Sequence, residues 1–159
     1  MSHHIIRPAI ADDAKVLSAL AHLVAPYFTL HADGRDAELF FASITEAATL
    51  ERLRSSQYRY WVALDGNDNV VATIAIRDNT HVYHLFVNPD QHRHGYASQL
   101  WSHAKEAAMA AGNPGEFTVN SSVFARAMYE KFGFHATAEQ QQMHGLAFIP
   151  MAFKNGSPQ

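Results

Sequence analysis

One short run constrains this chain more than any other. Residues 85–101 read Leu-Phe-Val-Asn-Pro-Asp-Gln-His-Arg-His-Gly-Tyr-Ala-Ser-Gln-Leu-Trp. Leu85, Phe86 and Val87 read as the end of a buried strand, and a tight polar turn follows. A helix is expected to begin just after Gly95. A helix start carries orphan N–H donors and a partial positive charge, so it attracts anionic oxygens. Gly95 lets backbone approach a ligand closely, and Ala97 is nearly as small. The run from His92 and Arg93 through His94, Gly95 and Tyr96 to Ala97 and Ser98 is thus a candidate phosphate cradle with no lysine. A P-loop would need Gly-Lys-Ser/Thr, which is absent, and a dinucleotide fingerprint would need three glycines early in the fold.

The rest of the composition narrows the class. At 159 residues, with 48% apolar and 17% charged, the chain is long enough for one domain with a real core. No run of eighteen apolar residues is present, so no membrane partner is expected. The N-terminal Met-Ser-His-His-Ile-Ile-Arg lacks the apolar centre of a signal peptide. Cysteine is absent, which excludes disulfides and a thiol nucleophile, and a cytoplasmic location is expected. The net charge is −3 without a basic cluster, so nucleic acid is not an expected partner. Eleven histidines include His81-x-x-His84 and His92-x-His94. No third or fourth ligand accompanies either pair in a metal-site pattern, so no metal is expected.

Periodicity orders the elements. Residues 5–7 form a first strand, and Asp12 and Asp13 start a helix whose apolar face is Val16, Leu17, Leu20, Leu23 and Val24. Pro26 ends it. A helical stretch over 37–53 contains Ser43-x-x-Glu46, a capping-box pattern that divides it into two. Strands are expected at 58–64, 70–76 and 81–87, with a hairpin turn at 65–69. The helix after Gly95 carries an Ala97, Leu100, Trp101, Ala104, Ala108 and Ala111 stripe and stops at Gly112. A strand over 117–120, a helix with Ala125, Met128, Tyr129 and Phe132 inside, and two strands over 134–138 and 143–153 complete the order. This is an α+β pattern.

The turn and this order together carry a resemblance. The run with Val87, Gly95 and Ala97 resembles the pyrophosphate motif Gln/Arg-x-x-Gly-x-Gly/Ala of the GNAT superfamily of N-acetyltransferases, with His92 standing at the Gln/Arg position. Asn120-Ser121-Ser122, Ala125 and Tyr-Glu-Lys-Phe-Gly-Phe at 129–134 resemble its distal segment. The resemblance covers residues 5–153. It implies a GNAT fold, with a mixed sheet of about six to seven strands and about four helices. It also implies a single acetyltransferase domain over 1–153, followed by a flexible tail over 154–159.

The same resemblance implies acetyl-CoA as cofactor, held between the splayed strands at 85–87 and 117–120. Backbone of Phe86 and Val87 would pair with the pantetheine arm and polarise the thioester, and residues 93–98 would hold the pyrophosphate. Asn120 and Ala125 would border the cofactor. Tyr129 would be the general acid, its phenol suited to protonating a departing thiolate. Where some relatives place a carboxylate base, this chain offers His81 or His84. Alternation puts these on opposite faces unless a bulge intervenes, and a water chain is the other candidate. Substrate contacts are expected from Tyr27, Phe28 and His31, from residues 34–41 and from the last strands near Met143. Those residues are aromatic and weakly charged, which suits a small-molecule amine or amino-acid-like acceptor. A homodimer is a further expectation. A non-catalytic acyl-CoA-binding module and a tRNA- or protein-directed acetyltransferase are the competing readings.

Overall fold

The computed structural model describes residues 5–155. His3, His4 and the end of the expected tail lie outside them. In chain order the elements are β1 (Ile5–Pro8), α1 (Ala14–Val24), α2 (Glu38–Ser43), α3 (Glu46–Leu53), β2 (Tyr58–Leu64), β3 (Val70–Arg77) and β4 (His81–Val87). There follow α4 (Tyr96–Ala110), β5 (Glu116–Ser121), α5 (Arg126–Phe132), β6 (His135–Ala136), β7 (Gln141–Met143) and β8 (Leu146–Lys154). The sheet order is β1-β2-β3-β4-β5-β8-β6, with β7 paired to β8. All neighbours are antiparallel except β4 and β5. That is the mixed α+β sheet the resemblance implied; among the described residues it has eight strands and five α-helices, one or two strands and one helix more than expected.

The helices divide between the two faces. Leu17 and Leu53 from α1 and α3 pack with Tyr60, Val62 and Ala75 on one face. Leu100, Trp101, Ala104 and Tyr129 from α4 and α5 pack with Ile74, Val82 and Val119 on the other. Asp13 ties β1 to α1. Its carboxylate accepts from Arg7 at 2.8 and 3.0 Å and from the Ile10 N–H at 2.8 Å. Trp101 sits among Phe117, Phe134 and Phe153 at ring separations of 5.0, 5.1 and 5.5 Å, so α4 is locked to β5, β8 and the end of α5. Burying such a side chain contributes about 2–3 kcal/mol, and this box fixes the height of α5 over the sheet.

Several local expectations differ from the structure. On α1 the inner face is Leu17, Leu20, Ala21 and Val24, while Val16 and Leu23 are exposed. An α-helical stripe has room for only one apolar edge, and here it is shifted by about one residue. Pro26 lies inside a 3-10 turn, Ala25–Tyr27, after α1 has ended. The cap of α3 is Thr45, whose hydroxyl accepts from the Ala48 N–H at 3.1 Å; Ser43 instead donates to the Phe40 carbonyl. On α4, Tyr96 is buried and Ala111 is exposed. The strand expected over 143–153 is β8, which begins at Leu146, and a short β7 before it turns back through His144 and Gly145, both at positive φ. Lys154 is still within β8, and the Asn155 N–H donates to the Gly115 carbonyl, so the chain stays ordered past the expected tail boundary.

Candidate active site

The parallel strands β4 and β5 are pinned at one end and open at the other. Their register holds only His81 to Thr118 and Val82 to Val119. Asn113 reinforces the pinned end, its amide donating to the Asn79 and Glu116 carbonyls at 2.7 and 2.9 Å. The Thr118 N–H donates to the Thr80 carbonyl at 3.0 Å. Beyond Val82 the β5-facing edge of β4 has no strand beside it. Leu85, Phe86 and Val87 in this stretch line a cavity of about 360 Å³. An extended ligand with amides can complete such an edge as an added strand would.

A bulge decides where the histidines go. Ala75 pairs with His84 and Ile76 with Val82, so Tyr83 is an extra residue in β4. A bulge shifts the side-chain alternation by one. Val82, Leu85 and Val87 pack into the α4 face, whereas Tyr83 and Phe86 pack on the α1 face. His81 and His84, which simple alternation would separate, therefore both reach a second cavity of about 370 Å³ on the α1 side. Nδ1 of His81 lies 2.7 Å from the Thr118 hydroxyl. Burial, with the Arg77 guanidinium second, lowers the His81 pKa to about 4. The His84 ring lies between Tyr83 and Phe86, at 4.3 and 4.4 Å. Burial, with Arg52 second, lowers its pKa to about 3. Both rings are neutral at pH 7.

The loop after β4 forms the mouth of the first cavity. Arg93 and Gly95 have φ of 69° and 82°, and His94 between them does not share that sign. Alternating backbone hand of this kind turns successive N–H groups toward one point, an anion nest. The first helical bond of α4 here is Gln99 N–H to the Gly95 carbonyl at 3.1 Å. The amides of Ala97 and Ser98 precede it in the orphan first turn. His92, Arg93, Gly95, Tyr96, Ala97 and Ser98 all line the cavity.

Tyr129 forms the facing wall. Its ring is buried against Phe132 and Phe134, at 6.0 and 5.4 Å. Gly133, at φ 104°, stops α5 and turns Phe134 back under it. The Tyr129 hydroxyl makes no hydrogen bond to protein among the described residues, and burial raises its pKa, so it holds its proton at neutral pH. Ser122 shapes the approach to α5, its hydroxyl accepting from the Ala125 N–H at 3.0 Å.

The two cavities meet where Phe28, His84, Phe86, Asn120 and Ser122 line both. Phe28 reaches this junction because Thr29 bridges to Leu146 and the Leu30 N–H donates to the Gly145 carbonyl at 2.8 Å. A Cβ on Gly145 would run into the Asp36 carbonyl, so only glycine permits this closure.

Most residues singled out from the sequence line one cavity or the other, with some exceptions. His94 is not on either wall. His31 is on neither wall; its Nε2 pairs with Asp36 at 3.6 Å. Tyr27 faces the first cavity rather than the second, where its ring lies 4.6 Å from Phe124 and 6.3 Å from His92. Met143 lines the second cavity. Leu39, His144 and Phe148 on the second wall fall within the stretches expected to meet the substrate, whereas Phe124 and Arg77 were not singled out from the sequence. For Arg77 a signal existed: it closes a strand directly opposite His81 across the Asp78-Asn79 turn. Among the described residues, no three His, Asp or Glu side chains cluster as metal ligands, and no helix is long and apolar enough to cross a membrane.

Known proteins place the architecture. No curated protein matches the chain in sequence. A GCN5-related N-acetyltransferase from Rhodopseudomonas palustris superposes with a TM-score of 0.78 at 24% identity, covering 97% of each chain. The PaiA N-acetyltransferase of Thermoplasma acidophilum, solved with coenzyme A, gives 0.77 at 15% identity over 96% of this chain and 99% of that one. A chimera of the spermidine N-acetyltransferase SpeG from Vibrio cholerae gives 0.66 at 16% identity over 96% of each. At these identities the likeness is one of fold. The model of the acetyltransferase (GNAT) domain family, whose acyl donor is acetyl-CoA, matches residues 28–155, and the chain belongs to that family.

Proposed function

We propose that this protein moves an acetyl group from acetyl-CoA directly to the amine of a small molecule, with Tyr129 as general acid. The observation that carries the reading is the junction. A slot bounded by an unpaired strand edge, an anion nest and a protonated tyrosine opens onto a separate pocket with room for an acceptor.

The residues present fit the donor. The edge of β4 at Phe86 and Val87 offers strand-like pairing to the pantetheine amides. The amides of Arg93 and of residues 95–98 would hold the pyrophosphate, and Arg93 would add a charge at the mouth. Acetyl-CoA supplies the acyl group and departs as the thiol. A backbone N–H on this edge of β4 polarises the thioester carbonyl, in a slot that Phe28 and Phe86 keep apolar. Tyr129 holds at Oη the proton that the sulfur takes as the C–S bond breaks, and solvent restores it. The amine nitrogen forms the new C–N bond and gives up one proton. The neutral imidazole of His84, at the junction, accepts that proton in passing and releases it to water. Burial makes this imidazole a weak base, so water has to carry the proton onward as the C–N bond forms.

The test is thiol release from acetyl-CoA across a panel of primary amines, run beside calorimetry with coenzyme A. Turnover with at least one amine supports the reading. Tight coenzyme A binding with no turnover on any amine overturns it and leaves a binding module.

A further inference from the structure

The acceptor cavity has an unusual charge balance. Its wall includes Phe28, Leu39, Phe40 and Phe148, which suit an apolar body. Its ionisable groups are Arg77, His81, Tyr83, His84 and His144, and no Asp or Glu is on the wall. An acceptor carrying several ammonium groups would enter this space without a counter-ion, which is costly in a partly desolvated pocket.

Arg77 is placed to do the opposite. It ends β3 directly across from His81, and the two strands hold them on one face. Its guanidinium lies 5.7 Å from the centre of the Tyr83 ring, which supports it from the α1 side. Its nearest acid is Asp78, 3.7 Å from Nε. The side chain makes no hydrogen bond to protein among the described residues, so its terminal nitrogens are available at the cavity wall. A guanidinium with a free fork is the group best matched to a carboxylate, which it can hold by two parallel bonds. Beside it, the His81 ring is held through Nδ1 by Thr118, and Nε2 remains for a ligand. The positive potential has a second consequence: it disfavours the ammonium form of a bound acceptor and so favours the free amine that must attack.

We propose that the acceptor amine carries an anionic group, a carboxylate in the simplest case, on an apolar body, and that Arg77 is the residue that reads it. This rests on the acetyl-transfer reading above and narrows its substrate. Arg77 acts on binding and orientation and takes no part in bond making.

The experiment uses two pairs of amines that differ by one carboxylate, phenethylamine with phenylalanine and benzylamine with 4-(aminomethyl)benzoate. Spermidine serves as the polycation. With the full chain and saturating acetyl-CoA, an acid-bearing member should exceed its carboxylate-free partner at least tenfold in kcat/KM, and spermidine should be the poorest acceptor. Arg77→Gln should bring that ratio toward one, mainly through KM of the acid-bearing member, and Arg77→Lys should restore part of it. Equal rates within both pairs, a preference for spermidine, or an Arg77→Gln loss that is equal for both members overturns the inference while leaving acetyl transfer intact. If no amine releases thiol, the transfer reading fails. The inference is then decided by calorimetry of the N-acetylated forms of the same four amines on the coenzyme A-loaded protein. Tighter binding of an acid-bearing form that Arg77→Gln abolishes upholds it, and its absence overturns it.

Discussion

The two halves of the site share Phe86 and Asn120 but are made of different material. The donor half is mostly backbone: an unpaired edge of β4, a loop with two left-handed residues, and the first turn of α4. Its residues are few and mostly close in sequence. The acceptor half is mostly side chains, drawn from α2, the β3–β4 hairpin and the β7–β8 hairpin, segments that only long-range pairing brings together. Backbone recognition suits a ligand that does not change. Side-chain recognition suits one that differs between proteins of the same fold.

Tyr129 tests the junction between the halves and should show the largest effect. Tyr129→Phe keeps the ring contacts with Phe132 and Phe134 and removes a hydroxyl that bonds to no described residue. Turnover at saturation should fall on the order of 10²-fold, the scale of a general acid, with coenzyme A affinity nearly unchanged. Steady-state kinetics beside calorimetry checks this. A parent-like rate makes Tyr129 a packing residue. A collapse of affinity with surviving turnover means that the hydroxyl holds the cofactor.

The acceptor side can be separated from the donor side by pH. His81 and His84 titrate near 6.5 when unfolded but at about 4 and about 3 in the fold. Above pH 6.5 both states carry neutral rings and stability is full. As pH falls below 6.5 the unfolded chain takes up protons that the folded one refuses, so stability drops. The slope reaches at most about 1.4 kcal/mol per pH unit for each ring. It persists until the folded pKa values are reached, near 4 for His81 and near 3 for His84. Chemical denaturation at pH 7.5 and 5 should show the loss, and His84→Phe should flatten it. Equal pH dependence in parent and variant would mean that the His84 ring is open to solvent.

Gly95 probes the donor loop. Its φ of 82° is the left-handed region, yet a Cβ there would meet nothing closer than the Gln99 amide nitrogen at 3.7 Å. The obstacle to a larger residue is therefore backbone conformation, not space. Gly95→Val should lower acetyl-CoA affinity at least tenfold, about 1.4 kcal/mol. Gly95→Asn, which tolerates this conformation, should lose much less. Calorimetry on both variants, each with a melt to confirm folding, decides it. Equal losses would make bulk rather than backbone hand the cause, and no loss from either would remove the loop from the cofactor site.

These contrasts explain what was legible in the sequence. The strand-turn-helix at 85–101 and the segment at 120–134 are local, and local chemistry can be read from spacing. The boundaries of β2 and β4 followed from their β-branched and aromatic runs. The bulge at Tyr83 left no trace in hydropathy, because it arises from register against β3. β7 went unread because Gln141 and Gln142 carry no apolar signal, although His144-Gly145 marks its turn into β8. The position of Phe124 over Tyr27 depends on three loops meeting. The acceptor wall was least legible for the same reason: Leu39, Arg77 and Phe148 become neighbours only once the sheet is assembled.

The smallest effect should come from His92, which sharpens the contrast from the donor side. The motif that this run resembles has Gln or Arg at this place. Here the residue is extended, at φ −62° and ψ 151°, and closes the Pro89–Gln91 turn. Its ring lies 6.3 Å from Tyr27 and 6.1 Å from Phe124, so it takes part in an aromatic wall rather than an anion clasp. His92→Gln leaves every backbone donor in place and removes ring contacts of about 0.5 kcal/mol. Acetyl-CoA affinity should therefore change less than about threefold. Calorimetry on this variant, set beside Gly95→Val, is the comparison. If His92→Gln costs tenfold while Gly95→Val costs little, the loop holds the cofactor through side chains, and the donor half is built like the acceptor half after all. If both cost little, the pyrophosphate binds elsewhere. The expected order, with Gly95→Val far the larger loss, means that the amides carry the anion and His92 only shapes the wall beside it.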